Sequence, residues 1–132
     1  MNLADAGQLL GARAAGIWRV DDADLVLTDF WAAPDLDPTV AEAFRLATML
    51  VPTSRSDLGI VGATLDARPR VSIASELPPD SGSGVWLRQF GAVRSIAVPR
   101  IVDSIVVEVA SVALCDSRDD EAICLLGVIL DR

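Results

Sequence analysis

The sequence predicts an α+β fold, a mostly antiparallel sheet of five to six strands with the terminal helices covering one face. Three observations predict it. Residues 15–32 and 93–114 each read as two β-rich segments joined by a short turn, and such hairpins make antiparallel neighbours. A further β-rich segment, RVSIA at 70–74, stands alone between helical stretches. Apolar residues at helical spacing occur at both ends of the chain.

Taken in order, LADAGQLLGARA at 3–14 places Leu3, Ala6, Leu9, Leu10 and Ala14 near one helical face, and Asn2 can cap its start. Residues 15–20 and 25–32 are strands around the acidic turn Asp21-Asp22-Ala23-Asp24. Pro34 and Pro38 bracket a loop. Pro38 then suits the first turn of a helix capped by Asp37, running through TVAEAFRLATML and stopped by Pro52. Residues 56–67 read as a short helix weakened by glycines, with Ser56 or Asp57 as its cap. ELPPDSGSG has the composition of a mobile loop. Residues 85–90 form a helix of one to two turns, with Gly91 placed to end it. Strands at 93–101 and 104–114 flank Val102-Asp103-Ser104. Asp116 or Ser117 caps a last helix reaching about residue 130.

The length of 132 residues fits one domain, residues 1–132. A chain this long can bury about two-thirds of its unfolded surface, so it needs no metal or disulfide to fold. No apolar run reaches the ~20 residues of a membrane helix. The N-terminus lacks a basic region and carries Asp5, unlike a signal peptide. We therefore expect a soluble, cytoplasmic protein. The net charge is −8, with no lysine and no histidine. Such a charge repels phosphate backbones, so no nucleic-acid or membrane partner is expected. Arginine as the only base, beside abundant Ala, Val and Asp, fits a GC-rich genome. Without histidine there is no His-dependent triad, His metal ligand or His general base. Cys115 and Cys124 read as two buried thiols rather than a disulfide, which would need close Cα atoms.

The segment WLRQFGAVRSIAVPRI at 86–101 places Trp86 and Phe90 on one helical face. On the strand that follows, Val93, Ser95 and Ala97 alternate with Arg94, Ile96 and Val98. An aromatic pair before a strand reads first as plain core. Yet the order WLRQFG, AVRS, IAVP, IVVEVASVAL resembles the second half of a GAF domain, a PAS-like sensory fold. DLGIVGATLDARPRVSIAS resembles that family's Gly-x-x-Gly segment, short helix and strand, and AGIWRVDDADLVLTDFWA its opening hairpin. The resemblance spans most of the chain. It implies a small-molecule pocket walled by the short helix and its preceding loop and floored by the strand. In bilin-binding members, residues at the positions of Trp86, Phe90 and Ser95 touch the chromophore. Ser83 falls near that group's histidine, and no cysteine lies nearby, so a covalent bilin is not expected.

The cyclic-nucleotide branch carries Asn, Lys, Phe and an Asp-Glu pair; this chain has one Asn, at position 2, and no Lys. Asp120 and Glu121 read instead as first-turn acids of the last helix. A reductase branch acts on free methionine sulfoxide through cysteines of the pocket loop, whereas Cys115 and Cys124 lie downstream. Thiolate chemistry favours a nearby cation or helix start, and Cys115 has Arg118 close in sequence and a helix start just after it. Asp21, Asp22 and Asp24 read as a solvated turn rather than a calcium site, and no metal site is expected. Glu108 interrupts an apolar strand and reads first as a cross-strand partner of Arg94 or Arg100, with solvent or the pocket as alternatives.

Together these readings give a non-enzymatic sensory or regulatory domain that binds a small, largely apolar ligand and needs no cofactor. A GAF-like dimerisation module without a ligand is the alternative, and a thiol-dependent reductase a third reading. The candidate ligand-binding residues are Trp31, Ile73, Glu76, Ser83, Trp86, Phe90, Val93 and Ser95. DEAICLLGVILDR carries apolar residues all round, wider than the single stripe of a surface helix. The candidate homodimer interface is accordingly Leu9, Leu10, Ile123, Leu126, Ile129 and Leu130. The pattern stops at Arg132, as an excised domain or a minimal stand-alone form would, and the resemblance implies an adjoining signalling output domain.

Overall fold

A computed structural model describes residues 1–131. Twelve elements follow one another: α1 (Leu3–Leu9), β1 (Ala14–Asp21), β2 (Asp24–Ala32), α2 (Pro38–Ala47), β3 (Leu50–Pro52), α3 (Gly59–Asp66), β4 (Arg70–Ile73), a 3₁₀ turn (Ala74–Glu76), α4 (Gly82–Phe90), β5 (Arg94–Val102), β6 (Ile105–Leu114) and α5 (Asp119–Leu130). The six strands form one sheet in the order β3-β2-β1-β6-β5-β4. Every neighbouring pair is antiparallel. The expected α+β architecture with a mostly antiparallel sheet is therefore what the chain forms.

Local chemistry explains most elements. Asn2 and Asp5 form a reciprocal capping box, with each backbone N–H donating to the other's side chain at 2.9 Å. Asp37 caps α2 by accepting from the Thr39 N–H at 2.8 Å, and Pro38 occupies the first helical position. Gly91 ends α4 in the left-handed region at φ 72°. The β5–β6 turn places Asp103 and Ser104 both at positive φ, as a two-residue hairpin that follows sheet twist requires. Across this hairpin, Arg100 Nε donates to Glu108 Oε1 at 2.8 Å, the expected cross-strand pair.

Four local expectations are corrected. α1 stops at Leu9, and Gly11 turns the chain at φ 59°. α2 stops at Ala47, where the Thr48 hydroxyl folds back onto the Phe44 carbonyl at 2.8 Å. Leu50–Pro52 then pair with β2 as a strand rather than continuing the helix. Neither Ser56 nor Asp57 caps α3, and neither Asp116 nor Ser117 caps α5; Leu58 and Arg118 precede those helices without side-chain caps. Both cysteines are free and exposed, not buried.

Strand alternation divides the core in two. On one face Ile17, Ile96, Val98, Val112 and Leu114 lie under Leu3 of α1, Leu10 just after it, and Leu126 and Ile129 of α5. On the other face Trp18, Ala97 and Val109 pack with Leu58, Ile60 and Val61 around α3. Leu87 and Phe90 of α4 cover Ala14 and Ala113 on the same side.

Candidate functional site

The three central strands carry small residues toward α2, α3 and α4. Ala14 and Gly16 on β1, Ser111 and Ala113 on β6, and Ser95 on β5 line one cavity. Strand register makes them a continuous floor. Gly16 sits opposite Ser111 and Ala14 opposite Ala113, while Ser95 pairs with Ala113 across the next interface. Alternation sends the bulky neighbours of these residues to the opposite face.

The roof is aromatic. Phe44 of α2 meets Trp86 edge-on at 5.2 Å, Phe90 at 5.1 Å and Trp18 at 6.4 Å between ring centroids. Trp86 and Phe90 stack at 6.3 Å, one helical turn apart. Phe90 is buried and Trp86 half-buried. Trp18 is anchored by its indole N–H, which donates to the Thr48 carbonyl at 2.9 Å. Trp86 has no hydrogen-bond partner among the described residues and is held by ring and apolar packing. Between floor and roof remains a cavity of about 50 Å³. A water requires roughly 10–15 Å³ on this measure, so there is room for a few waters. Pockets for drug-sized ligands span about 300–1,000 Å³.

Ser83 is tied to the rim. Its hydroxyl accepts from the Gly59 N–H at 3.0 Å, serving the uncapped start of α3 from another element. Its own N–H donates to the Asp57 carbonyl at 3.0 Å. Gly82, at φ 59°, allows this approach, since a Cβ there would strike the Asp57 backbone. Arg55 grips the Asp57 carboxylate at 2.9 and 3.0 Å and holds it below its ordinary range. Arg88 donates to the Ala74 carbonyl at 2.8 Å and so ties α4 to the 3₁₀ turn. Arg13 donates to the Phe90 carbonyl at 3.0 Å and to Asp35 at 2.8 Å, and this contact lowers the Asp35 pKa. No charged side chain among the described residues lines the cavity. The Ser95 and Ser111 hydroxyls face it without a hydrogen-bond partner among the described residues.

Of the eight residues expected at a ligand site, Ser83, Trp86, Phe90 and Ser95 line this cavity and four do not. Trp31 is opposite Ala15, so its ring goes to the other face and packs against Gly7 of α1. Ile73 pairs with Arg94 and shares that wrong parity. Glu76 is exposed on the 3₁₀ turn, and Val93 is exposed ahead of β5. Phe44, Trp18, Thr48 and Ser111 escaped the sequence reading. Ser111 carried a signal, since alternation in IVVEVASVAL sets it apart from Ala110 and Val112.

The expected dimer interface also changes. Leu10, Leu126, Ile129 and Leu130 are buried inside the chain against the sheet, and Ile123 packs at the edge of that core. Only Leu9 stays exposed among the six; Val128 of α5 is exposed as well. Cys115 lies just past β6, 3.9 Å from the Gly91 carbonyl, and Cys124 lies on α5; neither lines the cavity. No group of metal-ligating side chains occurs among the described residues.

The sequence matches no family model and no curated protein. Solved structures do match. The GAF domain of a two-component sensor histidine kinase from Bacillus halodurans superposes with a TM-score of 0.68 at 13% identity, over 98% of this chain and 84% of that one. The GAF domain of a phosphoenolpyruvate-protein phosphotransferase from Coxiella burnetii gives 0.68 at 13% identity, over 98% and 74%. Free methionine-R-sulfoxide reductase from Neisseria meningitidis, in complex with its substrate, gives 0.65 at 19% identity, over 98% and 71%. The fold is thus GAF-like, in agreement with the sequence motifs at 86–101.

Proposed function

We propose that this chain is a GAF-like sensory or regulatory domain that binds a small, largely apolar ligand between the sheet and α4. The observation that carries the reading is the cavity itself, with a floor of Ala, Gly and Ser under a roof of Phe44, Trp86 and Phe90. Floor residues alternate with residues that carry α5. Ser95 lies between Ile96, which packs under α5, and Arg94, which donates to Asp119 at the start of α5 at 2.9 Å. A ligand pressing on Ser95 therefore has a short path to the terminal helices. The same proposal includes a homodimer formed through the outer faces of α1 and α5, where Leu9 and Val128 are exposed. It also includes a cytoplasmic location and an adjoining output domain. No helix among the described residues is long and apolar enough to cross a membrane.

Binding without chemistry is favoured because no titratable side chain lines the cavity among the described residues and both thiols lie outside it. The reductase among the structural neighbours supplies the enzymatic alternative. Reduction of free methionine sulfoxide with a thiol donor, abolished by Cys115→Ser, would establish it. The small cavity favours a second reading, an interaction module whose pocket is filled by its own aromatic rings.

Native mass spectrometry of the purified protein, beside its denatured mass, tests the proposal. An extra mass that leaves on denaturation supports the sensory reading. A bare dimer favours the interaction module, and a bare monomer removes the dimer.

A further inference from the structure

We infer that the cavity selects an uncharged molecule with a flat apolar body and one hydrogen-bonding edge, held by Ser95 and Ser111 and admitted by displacement of Trp86. The inference rests on reading this cavity as a ligand site and goes on to say what the site accepts.

Charge is the first discriminator. No cavity-lining side chain among the described residues is charged, and the ion pairs at the rim are already mutually satisfied. A buried ionic ligand would lose its hydration with no counter-charge to replace it, a cost far above that for a neutral molecule. The hydrogen-bonding edge follows from the floor. Ser95 and Ser111 stand on neighbouring strands, two register positions apart and so diagonal neighbours on one face, since Ser95 pairs with Ala113 and Ala97 with Ser111. That spacing lets two hydroxyls meet one edge of a small molecule. Both hydroxyls can donate and accept, and neither has a protein partner among the described residues.

The body of the ligand follows from the roof. Trp86 lies perpendicular to Phe44 and is stacked on Phe90, surroundings suited to another flat ring. About 50 Å³ does not hold such a ring, whereas an engineered apolar cavity that binds benzene measures about 150 Å³. Trp86 is the roof residue best placed to yield. It is half-buried, touches two rings and lacks a hydrogen bond among the described residues, while Phe90 is buried, Trp18 is anchored to Thr48, and the half-buried Phe44 is held among four rings.

Four probes of similar size test this on the full chain at neutral pH by titration calorimetry: phenol, toluene, benzoate and benzylammonium. Phenol and toluene are expected to saturate one site, with both charged probes at least about tenfold weaker than phenol. Ser95→Ala and Ser111→Ala should each weaken phenol about threefold to tenfold, the range for one net hydrogen bond, and leave toluene unchanged. Unchanged urea midpoints confirm that the variants fold. In protein carrying 5-fluorotryptophan, the Trp86 fluorine signal, assigned by its loss in Trp86→Phe, should move more than those of Trp18 and Trp31 when phenol binds. The inference is overturned if a charged probe matches phenol, if both serine variants bind phenol normally, or if the Trp86 signal stays still. In those cases toluene binding keeps the cavity as a ligand site and only its selectivity was misread. If none of the four probes saturates, the ligand-site reading falls and the inference with it.

Discussion

The two faces of the sheet are built from the same strands and do opposite things. Beneath α1 and α5 the inward residues are branched and bulky: Ile17, Ile96, Val98, Val112 and Leu114, nearly all of their surface withdrawn from water. Beneath α2, α3 and α4 the alternate residues of the same strands are Ala14, Gly16, Ser95, Ser111 and Ala113. The first face is filled by the chain's own branched side chains. The second face leaves a gap, roofed by rings from separate helices. Room for a guest is thus found beside Ser95 and Ser111 on the second face, next to the equally buried Trp18, Val61 and Val109.

The largest effect should come from breaking the packed face. Leu126 is fully buried between α5 and the sheet. Leu126→Ala is expected to destabilise the protein by roughly 2–5 kcal/mol, the range for a leucine truncated in a close-packed core. Urea denaturation measures it. Trp86→Ala on the cavity face removes a larger side chain, yet should cost no more than about 2 kcal/mol, because Trp86 is half-exposed and its neighbours already border a gap. If Trp86→Ala proves the more damaging, the roof is structural core and the contrast between the faces fails.

How much of this contrast is legible in the sequence depends on whether one segment carries the information. Both hairpins, β4, the Gly91 stop and the Trp86–Phe90 pair follow from local spacing. β3 does not, because Leu50–Pro52 become a strand only through pairing with β2. Phe44 does not, because its importance comes from rings contributed by α4 and by two strands. Strand parity was readable, and it already separates Ser95 from Ile96. Its limit shows at Trp31, whose face depends on the pairing of β2 with β1. The apolar girth of α5 was misleading in a different way. Ala122, Leu126, Ile129 and Leu130 form the single inward stripe of an ordinary sheet-covering helix, so most of its leucine and isoleucine serves the monomer.

A finer comparison exchanges side chains between the faces. Ser111→Val places a branched apolar residue where the cavity lies, and should change stability by less than about 1.5 kcal/mol in either direction, as new contacts offset crowding. Val112→Ser, one residue along and on the packed face, should cost more, since it removes buried apolar groups and inserts a hydroxyl among Ile96, Leu126 and their neighbours. Thermal melts of the two variants rank them. Equal losses would mean that the cavity face is as tightly packed as the other.

The smallest expected effect lies at the junction of floor and roof, where Arg13 reaches from the start of β1 to the Phe90 carbonyl and to Asp35. The guanidinium holds the Asp35 carboxyl below its ordinary value of 3.8, first through their hydrogen bond and then through opposite charge. A carboxylate depressed in the folded state stabilises fully above its unfolded pKa and loses that contribution as the pH falls through the lower folded value. Here the loss sets in as the pH falls toward the ordinary value of 3.8 and continues below it. Asp35 is exposed, so solvent screens the pair and its share of stability is small. Asp35→Asn should therefore lower the melting temperature slightly at pH 7, with the difference from the parent shrinking as the pH falls through the acid range. The Arg13 bond to Phe90 does not depend on that charge, so α4 should stay docked in the variant and phenol affinity at pH 7 should not change. A large loss of affinity in Asp35→Asn would mean that the roof is held from outside by charge rather than by its own rings.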